Sequence, residues 1–144
     1  MAKRRLAGRH SYGGSSVPRP EDVRCPEDAL AVVLAAASSR DTLVALLLSD
    51  SRTSGASISF EDVYDEDIAS VVLMLCEAAP PGGELILASV RGGRGVAASM
   101  DEVYVWFDLC SITDAAGVRL IDWFLVDGEH ARSMAETTFS EDRW

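Results

Sequence analysis

The hydrophobic and polar positions of this chain fall into blocks with two different periods, and each block predicts an element. Pro26 opens a helix: Glu27 and Asp28 lie in its first turn, where carboxylates suit the helix dipole, and Leu30, Val33, Leu34 and Ala37 form an apolar face. Ser38-Ser39-Arg40 ends it. Thr42–Leu48 is a continuous apolar run, the pattern of a strand buried on both sides. A polar turn over Ser49–Gly55 precedes a second strand at Ala56–Phe60. The acidic loop Glu61–Asp67 offers Asp65 or Asp67 as a helix N-cap, and Ile68, Val71, Val72 and Leu75 place a helix over 68–79. Pro80-Pro81-Gly82-Gly83 stops that helix, and Glu84–Val90 reads as a third strand.

A glycine-rich loop, Arg91–Gly95, then leads to a helix whose start is explicit. Ser99 and Glu102 form an S-x-x-E capping box, in which each side chain satisfies a backbone N–H of the first turn. Val103, Trp106, Phe107 and Cys110 supply its apolar face and Gly117 its C-terminal glycine. Val118–Val126 is a last strand, closed by Asp127-Gly128, and a short helix or tail runs on to Trp144. No internal repeat is visible. This order predicts an α/β protein, a three-layer α-β-α sandwich with a central mixed sheet.

Charge divides the chain in two. Residues 1–24 carry six basic and two acidic side chains, and residues 25–144 carry seven basic and twenty-one acidic ones, consistent with the net charge of −10. The first stretch contains Gly-Gly-Ser-Ser and two prolines, and reads as a flexible basic arm ahead of one domain over 25–144. A body this acidic repels nucleic acid and anionic membrane, so only the arm suits phosphate contacts. The apolar run Ala29–Ala37 is too short to span a membrane, and the N-terminus lacks an apolar stretch of the secretory kind. A cytoplasmic location is expected. Cys25, Cys76 and Cys110 are far apart and form no CxxC pair, so they read as free thiols. Asn and Gln are absent and Lys3 is the single lysine, a bias that points to a high-GC genome.

The strand–glycine loop–helix unit is where chemistry is expected. As a phosphate cradle it has the general form, with free N–H groups ahead of a helix, but neither the GxxxxGK[ST] nor the GxGxxG register. Ser49, Ser51 and Ser54 have no histidine placed as a base. The acidic run Glu61–Asp67 departs from the EF-hand pattern and reads as a solvated loop. Trp106, Trp123 and Phe124 fall in core patterns, whereas Trp144, at the extreme C-terminus, is a candidate partner anchor.

From Arg40 to Gly128 the chain resembles the RadC-type branch of the JAMM (MPN-fold) metalloproteins, whose loop reads HxHPSGDPxPSxxD. Laid on without a gap, the family's two histidines fall on Ser89 and Arg91, its serine on Ser99 and its aspartate on Glu102. The family's helix-ending glycine falls on Gly117, its hydrophobic-hydrophobic-Asp-His strand on Leu120-Ile121-Asp122-Trp123, and its catalytic glutamate on Asp41. The resemblance implies a JAB/MPN (cytidine deaminase-like) fold. It also implies a zinc site at positions that have lost their ligands. Serine is a poor zinc ligand and arginine a fixed cation that repels the ion, so no catalytic residue, metal or cofactor is expected.

Arg91 and Arg94 then admit two readings: they bind a carboxylate or phosphate of a partner, or they pair with Glu102, Asp101 or Asp122 and fill the space. The functional expectation is a pseudoenzyme, an interaction or scaffolding module with another protein as partner and a homodimer as one form of assembly. Arg91, Arg94, Asp122 and Trp144 are its candidate binding residues. Two alternatives stand beside it. One is a hydrolase holding Mg²⁺ or Mn²⁺ through Asp41, Glu102 and Asp122; the other is a nucleic-acid accessory protein binding through the arm.

Overall fold

The valine- and leucine-rich runs form the inner strands of a sheet, and a computed structural model shows how the rest is arranged on them. It describes residues 18–37 and 41–144; most of the basic arm, with His10, and the Ser38-Ser39-Arg40 helix end lie outside the described residues. The elements in chain order are α1 (Pro26–Ala36), β1 (Thr42–Leu48), β2 (Gly55–Glu61), α2 (Ile68–Ala78), β3 (Glu84–Val90), α3 (Met100–Ala115), β4 (Arg119–Asp127), β5 (His130–Ser133) and α4 (Met134–Thr137). Among the described residues, no helix is long and apolar enough to cross a membrane.

The five strands form one mixed sheet in the order β2-β1-β3-β4-β5. β1 is antiparallel to both β2 and β3, β3 is parallel to β4, and β4 is antiparallel to β5. A parallel pair needs a crossover, and α3 supplies it. Because side chains alternate along a strand, β1 and β3 divide their apolar residues between two cores. Leu43, Ala45, Leu85 and Leu87 pack on α2 and α3, while Val44, Leu46, Ile86 and Ala88 pack on α1. Helices thus cover both faces of the sheet, as the pattern predicted.

The packed body begins before Cys25. Val23 is fully buried in the α1-side core, and Pro20 lies so close to Gly55 that an added Cβ there would meet it at 2.8 Å. The charge-based boundary at residue 24 therefore cuts through folded structure. Two helices also sit in a different rotational phase from the one expected. α1 buries Ala29, Val32 and Val33 and leaves Leu34 52% exposed; α3 buries Glu102, Trp106, Leu109 and Thr113 and leaves Phe107 49% exposed. Each helix carries more apolar residues than one stripe holds, so periodicity alone does not fix its phase. Asp67 stands at the N-cap of α2 but makes no side-chain capping bond.

β4 contains an irregularity that decides the C-terminal third. Leu85 pairs with Leu120 but Ile86 pairs with Asp122, so Ile121 is an extra residue, a β-bulge. Beyond the bulge, Trp123 and Leu125 face α2 and α3, and Phe124 and Val126 face α1. Asp122 is completely buried at the bulge and accepts four hydrogen bonds. Its Oδ1 takes the backbone N–H of Trp123 at 2.8 Å and of Ala135 at 3.0 Å. Its Oδ2 takes the Ser133 hydroxyl at 2.6 Å and the Trp144 indole N–H at 3.0 Å.

That carboxylate explains why the chain end is not a loose tail. Trp144 packs against Phe124 with ring centroids 6.3 Å apart, and the Arg52 guanidinium lies 5.7 Å from its ring centre. Arg143 adds a 2.5 Å bond to the Leu120 carbonyl. Trp144 is thus not the freely exposed indole that was expected: it is half-buried, with an internal acceptor and an internal aromatic neighbour.

Burial holds the Asp122 carboxyl above the ordinary carboxylate range, while its four donors pull in the opposite direction. A carboxyl raised in the folded state stabilises fully below its unfolded pKa, and that contribution is lost as pH rises through the folded pKa. Wild-type stability relative to Asp122→Asn is therefore expected to be greatest in acid and to decline through the window just above the ordinary carboxyl range. Urea unfolding across a pH series measures this, and a flat difference would count against it. Asp122→Ala should cost roughly 3 kcal/mol or more, since each buried donor left without an acceptor costs about 1–3 kcal/mol.

Candidate functional site

The parallel pairing of β3 with β4 brings the loop after Val90 beside the end of β4, where Val90 is in register with Val126. Chain direction alone then places residues 91–95 against Asp127. The Arg91 N–H continues the ladder to the Val126 carbonyl at 2.8 Å. Gly93 and Gly95 have φ of +83° and +76°, a region open to glycine, and these turns aim two backbone N–H groups at one carboxylate. Asp127 accepts from Gly93 at 3.2 Å and from Gly95 at 2.7 Å. Asp41, at the entrance to β1, accepts from Gly92 at 2.9 Å.

These contacts weigh against the phosphate-cradle reading. The loop N–H groups that would bind a phosphate already hold carboxylates, and Asp41 and Asp127 would repel a further anion. Arg94 faces Asp41 at 3.8 Å and is largely exposed, a pair of the kind that contributes little.

α3 begins as its sequence demands. Glu102 N–H donates to the Ser99 hydroxyl at 3.1 Å, and Ser99 N–H donates to Glu102 Oε1 at 2.9 Å, which completes the capping box. Glu102 Oε2 takes the Arg91 guanidinium in a short, buried ion pair; the two side chains are 7% and 5% exposed. Arg91 also donates to the Gly95 carbonyl at 3.4 Å, and its Nε is buried with no partner among the described residues. Burial lowers the Arg91 pKa, with Arg94 in the same direction and the carboxylates of Asp65, Asp127 and Asp41 in the opposite one. An arginine stays charged through such a shift.

Ser89 is half-buried, and its hydroxyl accepts the Trp123 indole N–H at 2.9 Å. The loop positions singled out in the sequence thus share one end of the sheet: Arg91, Ser99 and Glu102 in direct contact, Asp41 and Arg94 beside them. Asp122 and Trp144 do not belong to this cluster, being bonded to each other. The proposed Asp41–Glu102–Asp122 metal set is therefore not assembled. Among the described residues, no group of three His, Cys, Asp or Glu side chains is placed to hold an ion. His130 is exposed at the start of β5.

Asp127 and Asp65 were not anticipated as neighbours of the loop. A signal for Asp127 exists, since an acidic residue ending one strand will meet a glycine loop leaving its parallel neighbour. It becomes readable only once that pairing is known. Other features resolve as structural. Ser49 accepts from the backbone of Thr53 and Ser54 at 3.1 and 3.2 Å and so builds its turn. Burial raises the thiols of Cys76 and Cys110, the latter to about 11, which favours the protonated form of both.

Removing one member of a buried ion pair strands the other. Arg91→Ala is expected to cost about 3–5 kcal/mol of stability, and the Arg91→Met/Glu102→Gln pair much less, because no buried charge is then left over. Chemical denaturation of the two variants checks this; equal losses would show that the charge of Glu102 is solvated without Arg91.

No protein-family model matches this chain, and no curated protein is similar enough to count as a relative.

Proposed function

We propose that the chain is a RadC/JAMM-like domain of the JAB/MPN type in which an internal ion pair replaces the metal centre, and that it works as a protein-interaction or scaffolding module. The observation that carries this reading is the Arg91–Glu102 pair. These two residues stand where the resemblance puts the family's second histidine and its aspartate, and they meet in the space between β3 and α3. A catalytic zinc needs about three protein ligands with lone pairs to donate. At this site Arg91 brings positive charge, Ser89 is bonded to Trp123, and Glu102 is held by Arg91 and by its own helix cap. The residues present do not fit the ion, and no hydrolytic step is derived through it.

The element order and the parallel β3–α3–β4 crossover support the JAB/MPN assignment. Free, protonated thiols suit a reducing compartment, which fits a cytoplasmic protein. With the metal position filled by protein, the acidic surface is what remains to act.

Restoring ligands tests the scaffold. The triple variant Ser89→His/Arg91→His/Glu102→Asp is expected to bind about one equivalent of zinc per chain, whereas the wild type purifies without stoichiometric metal. Elemental analysis and zinc titration read both. A folded triple variant that fails to bind zinc would remove the JAMM-like reading, and stoichiometric metal in the wild type would remove the non-catalytic one.

A further inference from the structure

The layer formed by α2 and α3 carries an outward surface that the fold does not use. Both helices pack on each other and on the same face of the sheet, burying Val72, Leu75, Trp106 and Leu109. Their opposite faces therefore look away from the protein. There α3 presents Met100, Tyr104 and Phe107, which are 65%, 63% and 49% exposed. Their i, i+4, i+7 spacing makes one continuous stripe, diametrically opposite the buried Trp106–Leu109–Thr113 stripe. α2 adds Leu73 and Met74, each about half exposed. A helix in contact with its own core on one side gains nothing in the monomer from an apolar stripe on the other, and such exposed patches mark interaction sites.

Every charged side chain that α2 and α3 themselves carry is acidic; Arg143, from the C-terminal end, pairs with Asp114 in the last turn of α3 at 3.2 Å. Thr53–Val90 and Gly95–Val118, which include both helices, contain no lysine, arginine or histidine. Asp101 and Asp108 are exposed one heptad apart along the edge of the stripe, and Glu77 is exposed on α2. This distribution selects among occupants. Anionic lipid and nucleic acid are repelled. A second copy docking through the same face would, in a two-fold interface, bring the carboxylates of Asp101, Asp108 and Glu77 up to the same acidic set on the other copy. An occupant must bring apolar groups for Tyr104 and Phe107 and cations for the aspartates.

We propose that the α2–α3 face is a docking surface for a cationic amphipathic segment of a partner protein, an apolar strip with Lys or Arg alongside. Methionine and aromatic side chains suit such a surface, since they adapt to and anchor a helical ligand. The aspartates set the sign of the partner and speed its approach. The inference deepens the reading of the chain as an interaction module and rests on it.

The test uses the full chain and two labelled helical peptides with the same leucine face, one with a lysine/arginine polar face and one with a glutamate polar face. Fluorescence anisotropy is expected to show saturable binding of the cationic peptide and at least tenfold weaker binding of the acidic one. Tyr104→Ser/Phe107→Ser should weaken cationic-peptide binding by about tenfold or more, the scale of losing interface anchors. Asp101→Asn/Asp108→Asn should weaken it severalfold and flatten its salt dependence. All four positions are exposed, and circular dichroism melting confirms that the variants fold.

Cationic-peptide binding that survives both double variants would overturn the proposal, as would equal binding of the two peptides. Two further outcomes would overturn it in favour of another occupant. One is a solution dimer abolished by Tyr104→Ser/Phe107→Ser, which identifies a second copy. The other is a tenfold gain in peptide affinity when Lys3, Arg4 and Arg5 are all changed to Gln, which identifies the chain's own arm. Failure of the non-catalytic reading shows up separately, as bound metal, and leaves the peptide titration unchanged.

Discussion

The ion pair between Arg91 and Glu102 joins the exit of a central strand to the first turn of the crossover helix, and the geometry of this end of the sheet follows from it. A carboxylate buried to that degree is unfavourable unless its oxygens are engaged. Here one oxygen closes the helix cap and the other takes the guanidinium, so one side chain starts α3 and locks it to the loop after β3. The loop then folds around its remaining N–H groups, which find Asp41 and Asp127. Each charged side chain singled out at this end of the sheet has an intramolecular partner, although the Nε of Arg91 is left without one among the described residues.

Asp122 solves the same problem with hydrogen bonds in place of a counter-charge. Four donors converge on it from β4, β5, α4 and the C-terminal residue, so a single buried carboxylate gathers the last third of the chain. The two buried acids illustrate how differently burial acts. Glu102 is compensated by a cation, whereas Asp122 is compensated only by dipoles, and its proton is held more tightly than usual.

With its interior charges paired or hydrogen-bonded, the protein presents a surface that is acidic and locally apolar. The α2–α3 layer combines both properties: the charged side chains of its helices are all acidic, and Arg143 reaches it only at Asp114, in the last turn of α3. An apolar stripe surrounded by mixed charge would accept many partners; one edged by carboxylates alone discriminates by sign as well as by shape.

Much of this was legible in the residues themselves. Continuous apolar runs identified β1, β3 and β4, proline and glycine marked the helix boundaries, and Ser99 with Glu102 announced the start of α3, because each signal is local and depends on a few adjacent residues. The mixed sheet with helices on both faces followed from their order. Tertiary structure decided what local signals cannot. Whether Phe107 or Trp106 faces the core depends on how α3 lies on the sheet. The orientation of Asp122 depends on a bulge one residue before it. Asp127 reaches the glycine loop only because β3 and β4 run parallel in a particular register. Trp144 is held by a residue twenty-two positions away. Each of these is a long-range pairing, and a chain's own periodicity carries no record of which distant segment will lie beside it.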